Sequence, residues 1–201
     1  EADARMLLGR PPATGAWRDG DPLGERRFAS FGAFRTESGQ ELPGFRIAFE
    51  SWGTLNAARD NAVLVLHALT GDSHVRGSAG PGHSTAGWWG DVVGPGAAID
   101  TDTWYVVAPN MLGGCQGSSG PASISPDGYE WAARFPYLTV RDQVAAQARL
   151  ADALGIDRWG AVIGGSMGGM QALEWGAGLP DRVERLGILA SPPITTADQI
   201  A

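Results

Sequence analysis

One serine of this sequence stands in a setting that suits nucleophilic chemistry. Ser166 is the centre of the segment GGSMGG (164–169), in which Gly164, Ser166 and Gly168 form the pattern G-x-S-x-G. An apolar run precedes the segment and a helical pattern follows it, which is the context that this motif requires. The glycines permit a turn too tight for larger residues, and the start of a helix favours negative charge that develops beside it. The pattern therefore predicts Ser166 as the nucleophile of an acyl-transfer reaction.

The same segment also fits other roles. A glycine-rich turn between a strand and a helix can bind phosphate or can be purely structural. A P-loop is excluded, because its glycine spacing is absent and because all 15 basic residues are arginines, so that no lysine can reach a phosphate. The purely structural alternative stays open at this point.

Two backbone N–H groups are candidates for stabilising the oxyanion that such a reaction forms. Met167 directly follows the nucleophile, so its N–H lies at the N-terminus of the predicted helix. The segment HALTG (67–71) follows another apolar run. In folds with a G-x-S-x-G elbow the loop after this strand supplies the second donor, which by position is Leu69. We interpret His67 as a structural loop histidine rather than as the catalytic base.

Four continuous apolar runs predict buried strands of a parallel sheet. They cover 61–66, 104–108, 159–163 and 186–190. Two further segments with alternating apolar residues, 26–34 and 45–52, are separated by Glu37-Ser38-Gly39 and predict a hairpin or two neighbouring antiparallel strands.

Two helices are predicted between the later runs. The first covers 139–154, opens with a capping-box variant and stops at Gly155, and the second covers 167–179. Strands that alternate with helices predict the α/β class, with a mainly parallel sheet and flanking helices. We divide the chain into an N-terminal arm, 1–25, and an α/β core, 26–201. The glycine-rich stretch 71–96 is predicted as a long irregular loop.

Composition excludes several other classes of protein. The chain has 201 residues, a net charge of -7 and 43% hydrophobic residues, which is typical of a globular domain and not of a nucleic-acid-binding or disordered protein. Its single cysteine, Cys115, excludes an internal disulfide, and no apolar run approaches a membrane span. The first residues do not resemble a signal peptide, so we expect a cytoplasmic protein.

Further segments make the resemblance to a known family specific. They are LHALTGDSHV (66–75), GPGH with GWW (80–89), DT (100–101), GGCQGSSGP (113–121), RFP (134–136), RDQV (141–144), GGSMGGMQALEW (164–175) and TADQI (196–200). With these segments, from about Phe45 to the last residue, the chain resembles the homoserine O-acetyltransferase family, an acyl-CoA-dependent branch of the α/β-hydrolase superfamily. GGSMGG combined with ALEW is far rarer than G-x-S-x-G alone.

The resemblance implies a reaction and its partners. Ser166 would take an acetyl group from the co-substrate acetyl-CoA, and the hydroxyl of L-homoserine would then take it from the acyl-serine, in a step of methionine biosynthesis. Leu69 and Met167 would stabilise both tetrahedral intermediates. The resemblance also implies a homodimer with no bound cofactor and no metal, and it assigns no residue of this chain to binding acetyl-CoA.

The sequence departs from this family in one respect. On this fold the catalytic order is Ser, then Asp, then His. Asp181 and Asp198 follow Ser166, but all three histidines precede it. We therefore expect that the later strands and the lid are missing from this chain, and that residues 1–201 alone are inactive and aggregate through an exposed sheet edge.

Alternatives of several kinds remain. The donor could be succinyl-CoA or the acceptor serine, and a plain serine esterase or a non-catalytic module would share the elbow.

Cys115 is a weaker candidate for the nucleophile, because it lacks a visible base. We expect His74 and His83 to be solvated loop residues rather than metal ligands. Trp88 and Trp89 could line a channel. Arg26 and Arg27 are expected on a solvated face.

Overall fold

The computed structural model describes residues 15–194 and 196–197 of the chain. Of the predicted N-terminal arm, residues 1–14 lie outside the described part, as does Asp198 of the TADQI segment. The rest of the arm contacts the sheet and the loop after it. The ring of Trp17 lies 5.1 Å from that of Phe28, and the Trp17 N–H donates to the carbonyl oxygen of Cys115 at 2.8 Å.

Ten strands and two α-helices make up the regular structure of the described residues. The strands are β1 (Arg27–Phe31), β2 (Phe34–Arg35), β3 (Glu41–Leu42), β4 (Phe45–Trp52), β5 (Ala62–Leu66), β6 (Val93–Gly94), β7 (Ile99–Asp100), β8 (Tyr105–Pro109), β9 (Ala161–Gly165) and β10 (Leu186–Leu189). The helices are α1 (Val140–Leu154) and α2 (Met167–Gly178), and short 3-10 turns lie at Ala132–Arg134 and Pro180–Arg182.

Six of the strands form one sheet in the order β1-β4-β8-β5-β9-β10. The pairs β1/β4 and β4/β8 are antiparallel, whereas β8, β5, β9 and β10 run parallel to one another. The predicted α/β class and its four parallel strands are therefore confirmed. The predicted antiparallel pair is also confirmed, but the turn at 37–39 joins a separate two-stranded ribbon, β2 and β3, because β1 already ends at Phe31.

The central strand β5 is buried on both faces. Its five residues, AVLVL, are all buried, and alternate side chains enter two different hydrophobic clusters. Leu64 and Leu66 pack with the residues of α1 and α2, whereas Val63 and Val65 pack with Val75 and with residues of the 71–100 segment. The predicted irregular loop therefore covers one face of the sheet, and it carries the short parallel strands β6 and β7.

Local signals set the ends of α1. Thr139 caps the helix: its hydroxyl accepts the N–H of Asp142, and the Asp142 carboxylate accepts the N–H of Thr139 at 2.9 Å. The predicted capping box is thus confirmed, and it satisfies two N–H groups that the helix cannot. Gly155 ends the helix in the left-handed region, with φ 70°.

Helix α2 packs on the same side of the sheet as α1. Trp175 of α2 is fully buried, and its indole N–H donates to the Gln147 side chain of α1 at 2.8 Å. Its ring meets that of Trp159 edge to face at 6.4 Å. This packing fixes the helix that begins immediately after Ser166.

The strand β10 lies at one edge of the sheet. Its apolar side chains are partly exposed, with Leu186 at 41% and Leu189 at 45%. Among the described residues, no helix has the length and apolar character needed to cross a membrane.

Candidate active site

Ser166 occupies a strained turn between a strand and a helix. It lies between Gly165, the last residue of β9, and Met167, the first of α2, with φ 53° and ψ -119°. A residue with a Cβ rarely adopts such a conformation, which costs about 1–3 kcal/mol. Its N–H donates to the carbonyl oxygen of Leu189 at 3.0 Å, and its carbonyl oxygen accepts the Ser191 hydroxyl at 2.7 Å. The turn is therefore held from both sides while the residue itself stays exposed.

Glycines make this turn possible because backbone groups approach them closely. A Cβ on Gly164 would overlap the carbonyl group of Gly168, and a Cβ on Gly168 would overlap the carbonyl group of Leu66. The first turn of α2 thus packs directly against the end of β5. Both glycines of the pattern G-x-S-x-G are therefore required, because a side chain at either position would overlap the backbone. This requirement disfavours the interpretation of the segment as an arbitrary glycine-rich turn.

The structure brings both predicted oxyanion donors to one cavity. Leu69 and Met167 line a cavity of about 580 Å³, together with His67. The first N–H groups of a helix have no intrahelical acceptor, and they lie at the positive end of the helix dipole. The N–H of Met167 belongs to this group, so a negatively charged oxygen in the cavity would be stabilised there.

The rest of this cavity comes from the loop after β5, from the segments between β8 and α1 together with the start of α1, and from α2. The residues concerned are Gly71, 110–116, Pro121, Ala132, Ala133, 135–140, Gln143 and Gln171. Most of these side chains are apolar, which suits a small acyl group, and the exposed Cys115 is among them. Trp88 and Trp89 do not line the cavity. They stack on each other at 5.3 Å, and the indole N–H of Trp88 donates to the carbonyl oxygen of Asp72.

Sequence reasoning missed a set of glutamines that shape the site. The amide of Gln143 exchanges two hydrogen bonds with the backbone of Leu112, at 2.6 and 3.0 Å. Gln171 accepts from Gln147 at 2.5 Å and donates to the carbonyl oxygen of Met167 at 3.3 Å. These amides anchor the cavity wall and the first turn of α2. In the sequence, the only signal for this role is that the glutamines fall on the apolar faces of the two predicted helices.

None of the three histidines serves Ser166 as a base. In the described part of the chain no hydrogen bond joins a histidine to Ser166, and the rings of His67, His74 and His83 are engaged elsewhere. The side chain of Asp181 lies in the 3-10 turn after α2. Among the described residues, the arrangement therefore combines a candidate nucleophile with two candidate oxyanion donors, and no histidine there is placed to act as its base.

His74 and His83 are buried, and the expectation of solvated loop residues is wrong. The two side chains pack against Glu50, which is fully buried within β4. His74 Nδ1 lies 3.0 Å from Glu50 Oε2, and the Ser73 hydroxyl donates to Glu50 Oε1 at 2.7 Å. Burial raises the pKa of Glu50, and the hydrogen bonds from His74 and Ser73 act in the opposite direction. A buried carboxylate requires such partners, so the loop folds back over the strand.

The same three side chains could offer ligand atoms to a metal ion, since these atoms lie within 4.8 Å of one another. The two imidazoles, however, stack face to face at 3.7 Å with an interplanar angle of 10°. Their in-plane lone pairs therefore lie in two nearly parallel planes and do not converge on one point. His83 Nε2 also accepts the N–H of Glu25 at 3.2 Å. These contacts fit a hydrogen-bonded cluster better than a metal centre.

Arg26 is a second buried group that was expected on a solvated face. Its guanidinium donates to the carbonyl oxygen of Gly82 at 2.6 Å and to the side chain of Gln116 at 2.7 Å. The expectation holds for Arg27, which is exposed. Arg26 thus ties the N-terminal segment to two loops, and it is not free to meet a phosphate.

The buried state of His83 predicts a loss of stability in acid. Burial lowers the pKa of His83 to about 4, and the nearby charge of Arg26 adds to this effect. Between this value and the ordinary pKa of about 6.5, the unfolded chain binds a proton that the folded chain does not. The contribution of His83 is therefore fully present above pH 6.5 and is lost as the pH falls toward 4.

We expect His83→Gln to flatten this dependence. A glutamine oxygen can still accept the N–H of Glu25, but it does not titrate. From pH 7.5 to 5 the wild type should lose about 2 kcal/mol more than the variant. Urea unfolding at both pH values measures the difference, and the groups that face the ring, Glu50, His74, Asp72 and Arg26, are present in both proteins. Equal losses would contradict the assignment to His83.

The fold and the turn define a class of protein. A mainly parallel sheet, with a serine at positive φ between a strand and the following helix, is the arrangement of α/β-hydrolases. Residues 61–201 match the family model described as alpha/beta hydrolase fold, and the chain belongs to this family.

Comparisons with known proteins narrow the relationship. The homoserine O-acetyltransferase of Leifsonia xyli subsp. xyli is 68% identical over 201 residues, which are all of this chain and 50% of that protein. The crystal structure of homoserine O-acetyltransferase from Bacillus anthracis has a TM-score of 0.78 and 32% identity, covering 86% of this chain and 48% of that chain. The crystal structure of esterase E22 has a TM-score of 0.75 and 38% identity, covering 80% and 46%.

These matches have one property in common. The chain spans about half the length of the curated relatives that it matches. Within the alpha/beta hydrolase family it corresponds to one half of the homoserine O-acetyltransferase sequences, as the motifs around Ser166 predicted.

Proposed function

We propose that the full-length protein is a homoserine O-acetyltransferase that works through an acyl-serine at Ser166. The observation that carries the proposal is the 68% identity to a homoserine O-acetyltransferase across the whole chain. The site supports the same chemistry, because an exposed serine on a strained elbow adjoins a cavity with two candidate oxyanion donors. The acetyl donor acetyl-CoA and the acceptor L-homoserine are parts of this proposal.

The proposed reaction has two steps with the same geometry. In the first, Ser166 Oγ forms a bond to the thioester carbonyl carbon, the C–S bond breaks, and CoA leaves as the thiol with the serine proton. In the second, the hydroxyl of homoserine forms a bond to the acyl carbon, and the bond to Ser166 Oγ breaks as that oxygen regains a proton. The N–H groups of Leu69 and Met167 stabilise the oxyanion in both steps.

A general base must move the proton in each step. Because His67, His74 and His83 are engaged elsewhere, we propose that the base and its carboxylate partner lie in the part of the full-length protein that corresponds to the other half of the relatives. The role in methionine biosynthesis, the cytoplasmic location and the homodimer stay predictions from the family resemblance.

The test follows thiol release from acetyl-CoA by the full-length protein, with and without L-homoserine. We expect release to depend on homoserine, and we expect intact mass to show one acetyl group that homoserine removes. Succinyl-CoA as donor and L-serine as acceptor are the matched controls for substrate choice. Release that is equally fast without an acceptor would contradict the proposal.

A serine esterase is the second candidate. It is favoured by the 38% identity to esterase E22, which exceeds the 32% identity to the Bacillus anthracis structure. An esterase would hydrolyse simple acetyl esters at a rate that homoserine does not change. The same assay therefore separates the two functions.

A further inference from the structure

The ring of His67 is held by two main-chain groups. Its Nδ1 lies 2.7 Å from the carbonyl oxygen of Ala68, and its Nε2 accepts the N–H of Met111 at 3.2 Å. A carbonyl oxygen can only accept and an amide N–H can only donate, so the ring must carry its proton on Nδ1 and leave Nε2 unprotonated. Burial lowers the pKa of His67, which favours this neutral form.

The contact with Ala68 fixes the orientation of one peptide unit. The peptide group is planar and trans, so the carbonyl of Ala68 and the N–H of Leu69 point in opposite directions. His67 Nδ1 and the N–H of Gly71, at 2.9 Å, both donate to that carbonyl oxygen. The N–H of Leu69 is therefore held away from the imidazole.

The backbone around His67 is also packed tightly against the nucleophile elbow. A Cβ on Gly168, in the first turn of α2, would lie 2.9 Å from the carbonyl oxygen of His67. A Cβ on Gly71 would lie 2.9 Å from the Cβ of His67. The imidazole thus connects the loop after β5 with the loop after β8. The backbone of His67 packs against the start of α2.

We propose that His67 is a positioning residue of the oxyanion site, whose Nδ1–H holds the carbonyl of Ala68 so that the N–H of Leu69 serves the reacting oxygen. The inference rests on the proposed serine-based acyl transfer. His67 acts through Leu69 and takes no proton from Ser166. This role gives a reason for a buried histidine directly after the central strand.

Two substitutions separate the two ring contacts. An asparagine places an amide N–H near the position of Nδ1 and loses the acceptor for Met111, whereas a glutamine places an oxygen near the position of Nε2 and loses the donor to Ala68. The full-length protein and its His67→Asn and His67→Gln variants are compared in the hydrolysis of 4-nitrophenyl acetate. This ester needs neither acetyl-CoA nor homoserine.

We expect His67→Gln to lower kcat about 10- to 100-fold with little change in KM, because loss of a whole oxyanion donor costs about 100- to 1,000-fold. His67→Asn should lose no more than about fivefold, because it keeps the hydrogen bond that orients the peptide. A merely structural histidine would give two variants whose activities fall together and follow their stabilities in urea. That outcome would overturn the inference.

A second measurement reads the protonation state in the wild type and uses a variant only to assign the signal. In the full-length protein labelled with ¹⁵N-histidine, the imidazole whose signal is absent from His67→Asn should be a fixed Nδ1–H tautomer at pH 7. A His67 ring protonated on Nε2 would overturn the inference.

The outcomes for the two proposals are distinct. If the variants separate as expected but thiol release does not depend on homoserine, the acetyltransferase proposal fails and the positioning role stands. If homoserine-dependent transfer occurs but the variants lose activity equally, the positioning role fails and the acetyltransferase proposal stands.

Discussion

We expect that replacing Ser166 with alanine abolishes the proposed acyl transfer by the full-length protein and leaves its fold intact. We expect kcat for homoserine-dependent thiol release to fall at least about 10⁴-fold, because alanine leaves no hydroxyl at the elbow to attack the thioester. The stability in urea should not change, since alanine keeps the Cβ and hence the strain at φ 53°. Intact mass should show no acetyl group after exposure to acetyl-CoA.

Ser166→Gly is the matched control for this experiment. It should be equally inactive, but more stable than Ser166→Ala by about 1 kcal/mol, because glycine relieves the strain at positive φ while losing more freedom on folding. An acetylated Ser166→Ala protein would show that another residue, such as the exposed Cys115, is the nucleophile. Equal stability of the two variants would show that the turn stores no strain.

Replacing Gly168 with alanine should prevent correct folding. The new Cβ would overlap the carbonyl group of Leu66, and it would lie 2.9 Å from the carbonyl oxygen of His67. The end of β5 cannot move away, because the strand is paired with β8 on one side and with β9 on the other. We expect a loss of at least about 3 kcal/mol in the free energy of unfolding, or no soluble full-length protein.

Gly165→Ala is the control three residues away. A Cβ at this position would meet its nearest neighbours, both in Leu189, at 3.8 and 3.9 Å, which is ordinary contact. The stability of this variant should stay within about 1 kcal/mol of the wild type. Urea unfolding of both variants measures the difference. Similar stabilities would contradict the close packing of α2 against β5.

The parts of the fold that could be predicted depend on neighbours in sequence. The capping box of α1 involves Thr139 and Asp142, and the elbow lies within six consecutive residues. The strand β5 was predicted because burial on both faces requires five apolar residues in succession. The end of β9 was misplaced by two residues, since glycines at its end carry no hydrophobic signal.

The predictions that were wrong concern the burial of side chains whose partners lie far away in the sequence. Glu50 lies within β4, whereas His74 and His83 lie in a glycine-rich loop, so no local pattern connects them. Arg26 was misjudged for the same reason, since its acceptors are Gly82 and Gln116. Charge and polarity predict exposure on average, but a charged group that finds several partners can be buried.

The position of β5 in the sheet has a consequence for synthesis of the chain. Its two neighbours are made at different times, because β8 ends at Pro109 and β9 begins only at Ala161. At a translation rate of about 5–20 residues per second, the interval of some fifty residues lasts about 3 to 10 s. During this time one edge of the most apolar strand has no partner, so the nascent chain is exposed to aggregation and to chaperones. Leu69 and Ser166 come together only when β9 closes that edge.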